Sequence, residues 1–198
     1  MQAAVQTAAD VHLTMPSIAA VVAACVAALL LLGSAFASGS EIAFFSLTRE
    51  NLNDMAESKS ARDKRVIELL REPEKLLATI LIVNDFVNVG VVVLLNFFFM
   101  DVLHFAPGAE WLQFLLMTVL LTFLLLLFGE VMPKIYSKSN VVKMARFASG
   151  GFYLLSRVLS PLSRLLVRST VFAQRIVSKK NRMLSVDELE QALELTDT

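Results

Sequence analysis

The stretch "LLLLFGEVMPKIYSK", Leu124–Lys138, decides how this chain is read. An apolar run ends in Gly129 and a carboxylate, Glu130, and Pro133 follows at once. A carboxylate near the bilayer centre costs about 2.5–3.5 kcal/mol on insertion scales. A chain that keeps one there generally uses it.

Outward from that stretch, the charges are unevenly spread. Val11–Ser40 carries none apart from His12, Leu76–Met100 carries only Asp85, and Trp111–Gly129 carries none. Each run is long enough to cross a hydrocarbon core of about 30 Å as a helix. The expected fold is therefore an all-α integral membrane protein with three transmembrane helices, roughly 16–38, 76–100 and 111–133. The zero net charge hides a strong asymmetry. The first basic residue is Arg49; the segment 40–75 holds Arg49, Lys59, Arg62, Lys64, Arg65, Arg71 and Lys75; Asp101–Glu110 holds no Lys or Arg; and the chain from Lys134 onward is basic again. The positive-inside rule puts the N-terminus outside and both the 40–75 loop and the C-terminus in the cytoplasm. A cleaved signal peptide competes for the first span, since "AFASG" (Ala35–Gly39) offers an A-x-A site. It has no basic leader, and cleavage would strand the basic loop on the wrong face.

Local signals fill in the rest. Thr48 is placed to cap a helix through Arg49–Leu52, and Pro73 fits the first turn of the second span. His104–Gly108 reads as a short external turn, and His12 and His104 each read as a solvated or interfacial ring. Phe147–Val177 is apolar but carries Arg157, Arg164, Arg168 and Arg175. At 100° per residue these four fall within about 40° of one helical face. That pattern predicts an amphipathic juxtamembrane belt helix, bent at Pro161, with its arginine stripe on the lipid surface. An ordinary fourth span is the competing reading. Ser185 with Glu188 forms a capping box, so 181–198 reads as the start of a cytosolic region, cut short, after a membrane domain at 1–180. Cys25 is the single cysteine, so no intramolecular disulfide forms. No catalytic pair, zinc-ligand spacing or phosphate loop is visible, and nothing suggests an enzyme or a nucleic-acid partner.

Each span holds one polar cluster. "GSAFASGSE" (Gly33–Glu41) sets Ser34 and Ser38 on one face, with Gly39 expected to break the helix just beyond. "NDFVN" sets Asn84 and Asn88 on one face around Asp85 and Phe86. In "FGEVMPK", Pro133 cannot donate to the Gly129 carbonyl four residues back, which can free that oxygen beside Glu130. Hydroxyls, amide oxygens, a carbonyl and one carboxylate are hard ligands that suit Mg²⁺, Ca²⁺ or Na⁺. Taken singly, each cluster reads equally well as helix packing; one in every span favours a cation site.

The same motifs, in the same order over roughly Leu30–Arg168, resemble the transmembrane domain of the CorC/cyclin-M (CNNM) magnesium transporters. "LSVDELEQALEL" is similar to the branch associated with bacterial gliding motility. The resemblance implies a homodimer in the inner (plasma) membrane that binds Mg²⁺ between the spans and exports it, with Na⁺ as coupling ion. It implies ligands at Ser34, Ser38, Asn84, Gly129 (carbonyl) and Glu130. Glu41, Asp85, Asn88, Pro133 and Lys134 fall on or beside motif positions, as residues that would support the ligands or couple the transport. Asp85 stands where the family usually has a second asparagine. Cytosolic CBS domains, which bind ATP, follow in that family; their sequence is absent here, so no nucleotide site is assigned. A non-transporting metal sensor or scaffolding anchor is the alternative function.

The charge asymmetry makes a direct prediction. A cysteine at position 60 (Ser60→Cys) will react with a membrane-impermeant maleimide only after the membrane is opened. Labelling from outside intact cells would invert the topology.

Overall fold

The computed structural model describes residues 12–105 and 110–167. Its helices are α1 (Ile18–Phe45), α2 (Arg49–Glu57), α3 (Ala61–Leu70), α4 (Pro73–Val102), α5 (Glu110–Leu124), α6 (Met132–Ser139) and α7 (Val141–Val158). A π-helical segment, Leu125–Val131, joins α5 to α6. Two-residue strands β1 (His12–Leu13) and β2 (Leu103–His104) pair antiparallel where α1 starts and α4 ends.

Among the described residues three helices are long and apolar enough to cross a membrane: Ile18–Phe45, Pro73–Val102 and Trp111–Ser139, with mean hydropathies of 2.6, 2.1 and 2.4 over their most apolar 18 residues. All three run past the bounds read from hydropathy. At about 1.5 Å per residue the 28 residues of α1 span roughly 42 Å, more than the hydrocarbon core. Gly39 does not break α1, which continues to Phe45. Its missing side chain serves a close approach instead: a Cβ at Gly39 would lie 2.6 Å from Ser137 Oγ and 3.5 Å from the Pro133 carbonyl oxygen. Pro133 likewise does not end the third span. The helix widens just before it, where the Met132 N–H reaches back five residues to the Leu127 carbonyl. A π-turn of this kind absorbs the missing proline donor without a break.

Other local expectations hold. Thr48 Oγ1 accepts the Asn51 N–H at 3.2 Å, and Pro73 sits in the first turn of α4. Two need correction. His104, expected in the turn His104–Gly108, lies in β2; residues 106–108 of that turn lie outside the described residues. The amphipathic helix starts at Val141, ahead of Phe147, and bends at Leu159, just before Pro161; helical turns then continue over 160–167. The proline that cannot join the preceding ladder opens the next turn instead. The stripe residues Arg157 and Arg164 are exposed. Arg168, Arg175, the rest of the stripe segment and the Ser185 cap lie outside the described residues.

The spans are sparsely covered: Phe86 is 81% and Phe114 74% exposed, as suits faces that meet lipid or another membrane helix. The packed core sits where α1 ends and α4 starts. Ala37, Ala43 and Phe44 of α1, Met55, Val66, Leu69, Leu76 and Ile80 meet Ala145, Ala148 and Phe152 of α7. Phe152 stacks on Phe36 (ring centroids 5.6 Å apart) and meets Phe44 edge-on at 6.1 Å. Such pairs contribute about 0.5–1.5 kcal/mol beyond their burial. α7 is thus docked on α1 and α3.

A fork–fork ion pair fixes that dock. Arg146 Nε and Nη2 donate to Asp63 Oδ1 at 2.6 Å and Oδ2 at 3.1 Å. Asp63 is buried while the Arg146 side chain is 43% exposed. Burial alone would raise the Asp63 pKa. Hydrogen bonds from Arg146 and Ser58, with the guanidinium charge, outweigh it and hold the carboxyl below the usual carboxylate range. A folded pKa below the unfolded one stabilises the dock above the ordinary carboxylate pKa, and the gain is lost as pH falls through the folded value. Arg146→Ala is therefore expected to destabilise the detergent-solubilised protein at pH 7 by about 1–3 kcal/mol, discounted for the exposed partner. The difference from wild type should shrink as the pH falls below the ordinary carboxylate range. Thermal unfolding at pH 7 and through the acid range checks this; equal midpoints at pH 7 would show the pair to be incidental.

Candidate functional site

The polar cluster of α1 faces α4 and the π-segment about midway along the spans. Ser34 and Ser38, four residues apart, are both buried on one face of α1. Opposite them, α4 turns Asn84 and Asn88 inward, also four apart. Ser34 Oγ lies 3.0 Å from Asn84 Oδ1 and 2.6 Å from Asn88 Oδ1, and Ser38 Oγ lies 3.4 Å from Asn84 Oδ1. The third span closes on the same hydroxyl. Gly129 is buried, and a Cβ there would stand 2.9 Å from Ser34 Oγ. Ser34 is where all three spans meet.

The count of protons in this cluster is informative. Three contacts of hydrogen-bond length link four oxygens, but two hydroxyls supply at most two protons, and the amide oxygens supply none. Ser34 has one proton and two amide oxygens in range. A cluster richer in acceptors than donors is a lone-pair surface that favours a cation. Among the described residues no group of three or more His, Cys, Asp or Glu side chains could hold a metal. A cation here would therefore rest mainly on neutral oxygens, with Glu130, half-buried next to Gly129, as the nearby formal charge.

The remaining motif residues separate into two groups. Glu41 near the C-terminal end of α1 pairs with Lys134 of α6 at 3.3 Å, beside the close contact of Gly39 with α6. Pro133 is half-buried there, and its carbonyl faces Gly39. These three tie α1 to α6 and lie one to two turns beyond the oxygen cluster, toward the C-terminal end of α1. Asp85, by contrast, is exposed beside exposed Phe86, and among the described residues no hydrogen bond or ion pair joins it to the cluster. Asn88 comes as close to Ser34 as Asn84 does, which motif position alone had left open. Ser137 was not legible as a site residue in the sequence; its buried hydroxyl has no hydrogen-bond partner among the described residues.

With this geometry in view, similarity to known proteins becomes decisive. The family model described as the cyclin M transmembrane N-terminal domain matches residues 25–198. The chain belongs to that family. A UPF0053 protein of Haemophilus influenzae is 31% identical over 160 residues, 79% of this chain and 37% of its own length. The UPF0053 inner membrane protein YfjD of Escherichia coli is 32% identical over 153 residues, 77% of this chain and 33% of its own length. The chain thus spans about a third of the length of these relatives. The match covers α1 from Cys25 onward, so it includes all three polar clusters and the π-segment.

The contact of Gly129 with Ser34 can be tested by a double-mutant cycle. Gly129→Ala forces the Ser34 hydroxyl off its amide partners and should destabilise by about 1–3 kcal/mol. In a Ser34→Ala background the same change should cost less, with a coupling of about 0.5–3 kcal/mol. Strictly additive unfolding free energies would show that the two do not touch.

Proposed function

We propose that this chain is the membrane domain of a cation transporter that binds Mg²⁺ among its three spans and exports it in exchange for Na⁺. The observation that carries the reading is the acceptor-rich cluster at Ser34, Ser38 and Asn84, closed by Gly129 and flanked by Glu130. Mg²⁺ takes oxygen ligands, gives up its water reluctantly and is held by one or two carboxylates. One carboxylate with several neutral oxygens matches that preference. The Gly129 carbonyl and Glu130 would supply the ligands of the third span, and Asn88 would hold Ser34 in place.

Energetics favour a coupled process. A divalent cation leaving a cell at 100 mV, negative inside, climbs about 4.6 kcal/mol, since each charge contributes about 2.3. Inward Na⁺ supplies that work. A site where three helices converge on one small side chain also suits alternating access, because small rotations of one span change the ligand set.

The protein is read as a multi-pass inner-membrane protein, N-terminus outside and C-terminus cytoplasmic, in line with its one-sided Lys and Arg and with the name of its Escherichia coli relative. The exposed span faces would be covered by a second copy in a homodimer. Arg157 and Arg164 would meet lipid phosphates at the inner leaflet, each contributing about 1 kcal/mol near an anionic surface. The full-length protein is expected to add a cytosolic CBS-type domain.

Purified protein reconstituted in liposomes, with Mg²⁺ flux followed by an entrapped dye, tests the proposal. Flux should depend on an opposed Na⁺ gradient. Glu130→Gln should lower Mg²⁺ affinity by about tenfold or more, and Ser34→Ala and Asn84→Ala by less, since each removes a neutral group. Unchanged affinity in a folded Glu130→Gln protein would overturn the ligand assignment. Mg²⁺ binding without flux would make the chain a metal-sensing anchor.

A further inference from the structure

The chain has two histidines, and the fold brings them together. The ribbon of β1 and β2 sets His12 directly opposite His104, and Leu13 opposite Leu103. Residues directly opposed in an antiparallel pair share a face, with Cβ atoms about 4.5–5.5 Å apart. Both rings are exposed.

A chain of hydrogen bonds presents one of the rings for coordination. The Thr14 hydroxyl donates to the Asp101 carbonyl at 2.7 Å, which uses its only proton. At 3.4 Å from His104 Nδ1, the same hydroxyl oxygen can then only accept. Nδ1 of His104 therefore carries the hydrogen in the neutral ring, and Nε2 keeps a free lone pair. A hydrogen bond at one imidazole nitrogen that orients the other is the arrangement found behind metal-bound histidines. The backbone beneath is held as well. Thr14 N–H donates to the Val102 carbonyl at 3.0 Å, and Asp101 Oδ2 accepts the Ser17 N–H at 2.7 Å, at the N-cap of α1. That bond ties the Asp101 carboxylate into the clasp.

We propose that His12 and His104 form a two-imidazole site for a borderline divalent transition cation of the Zn²⁺ class, placed on the clasp that joins the start of α1 to the end of α4. Imidazole suits Zn²⁺, Ni²⁺ and Cu²⁺, whereas Mg²⁺ prefers oxygen. The site is thus chemically separate from the oxygen cluster inside the spans, and it stands whether or not that cluster binds Mg²⁺. A cation held by both rings would cross-link the two strands and stabilise the folded clasp, since it binds the paired ribbon and not the separated strands.

Zn²⁺ titration of the purified, tag-free chain in detergent, by calorimetry and by thermal unfolding, tests the assignment. The expected result is saturable binding of one Zn²⁺ per chain, a raised unfolding midpoint, and no displacement by excess Mg²⁺. His12→Gln and His104→Gln should each weaken binding about tenfold or more, with midpoints in the absence of Zn²⁺ unchanged because both rings are exposed. Ser34→Ala should bind Zn²⁺ as the wild type does. Absence of saturable binding in the wild type, equal affinity in either histidine variant, or loss of binding in Ser34→Ala would overturn the proposal.

Discussion

A helix pair in lipid gains little from hydrophobic burial, because the acyl chains are as apolar as leucine. Association must come from close packing and polar contacts. The rest of this structure depends on one place where both are met. Along α1 the small residues Ser34, Ser38 and Gly39 are buried, and α4, the π-segment and α6 close on them. The approach is so tight that a single Cβ at Gly129 would reach 2.9 Å from Ser34 Oγ, and one at Gly39 would reach 2.6 Å from Ser137 Oγ. The same smallness that lets the backbones meet leaves room for oxygen atoms and nothing larger.

This explains why packing and chemistry occupy the same residues. A Ser facing Asn at 2.6–3.0 Å is interhelical glue by any account. It is also a set of lone pairs short of protons, which a cation would satisfy. The π-turn lies between two contacts. It accommodates Pro133, with Gly129 against Ser34 before the proline and Lys134 reaching Glu41 at 3.3 Å after it. π-bulges are frequent at functional sites.

Two clamps hold the central contact from its ends. Beyond the C-terminal end of α1, Asp63 and Arg146 lock α3 to α7, and Phe152 sits between Phe36 and Phe44. At the other end, the β1–β2 ribbon and Asp101 tie the start of α1 to the end of α4.

The spans, the charge asymmetry, the Thr48 cap, the proline that opens α4 and the three polar motifs are legible in the chain because hydropathy, charge and capping are local properties of short segments. Even the facing pairs Ser34/Ser38 and Asn84/Asn88 follow from helical period alone. Which faces meet is settled by the packing of the helices. Helical period places Asp85 about 100° from Asn84, but not which of the two turns inward; the rotation of α4 against α1 leaves Asp85 exposed and brings Asn88 to Ser34. Gly39 looked like a helix breaker because glycine frees the backbone; it is a contact residue because α6 arrives on that side. His12 and His104 were two separate solvated rings until strand register set them opposite each other. Asp63 and Arg146 gave no local sign of pairing, since nothing within a few residues of either says that α7 folds back onto α3. Contacts between distant segments depend on relative rotation and register, which no local period encodes.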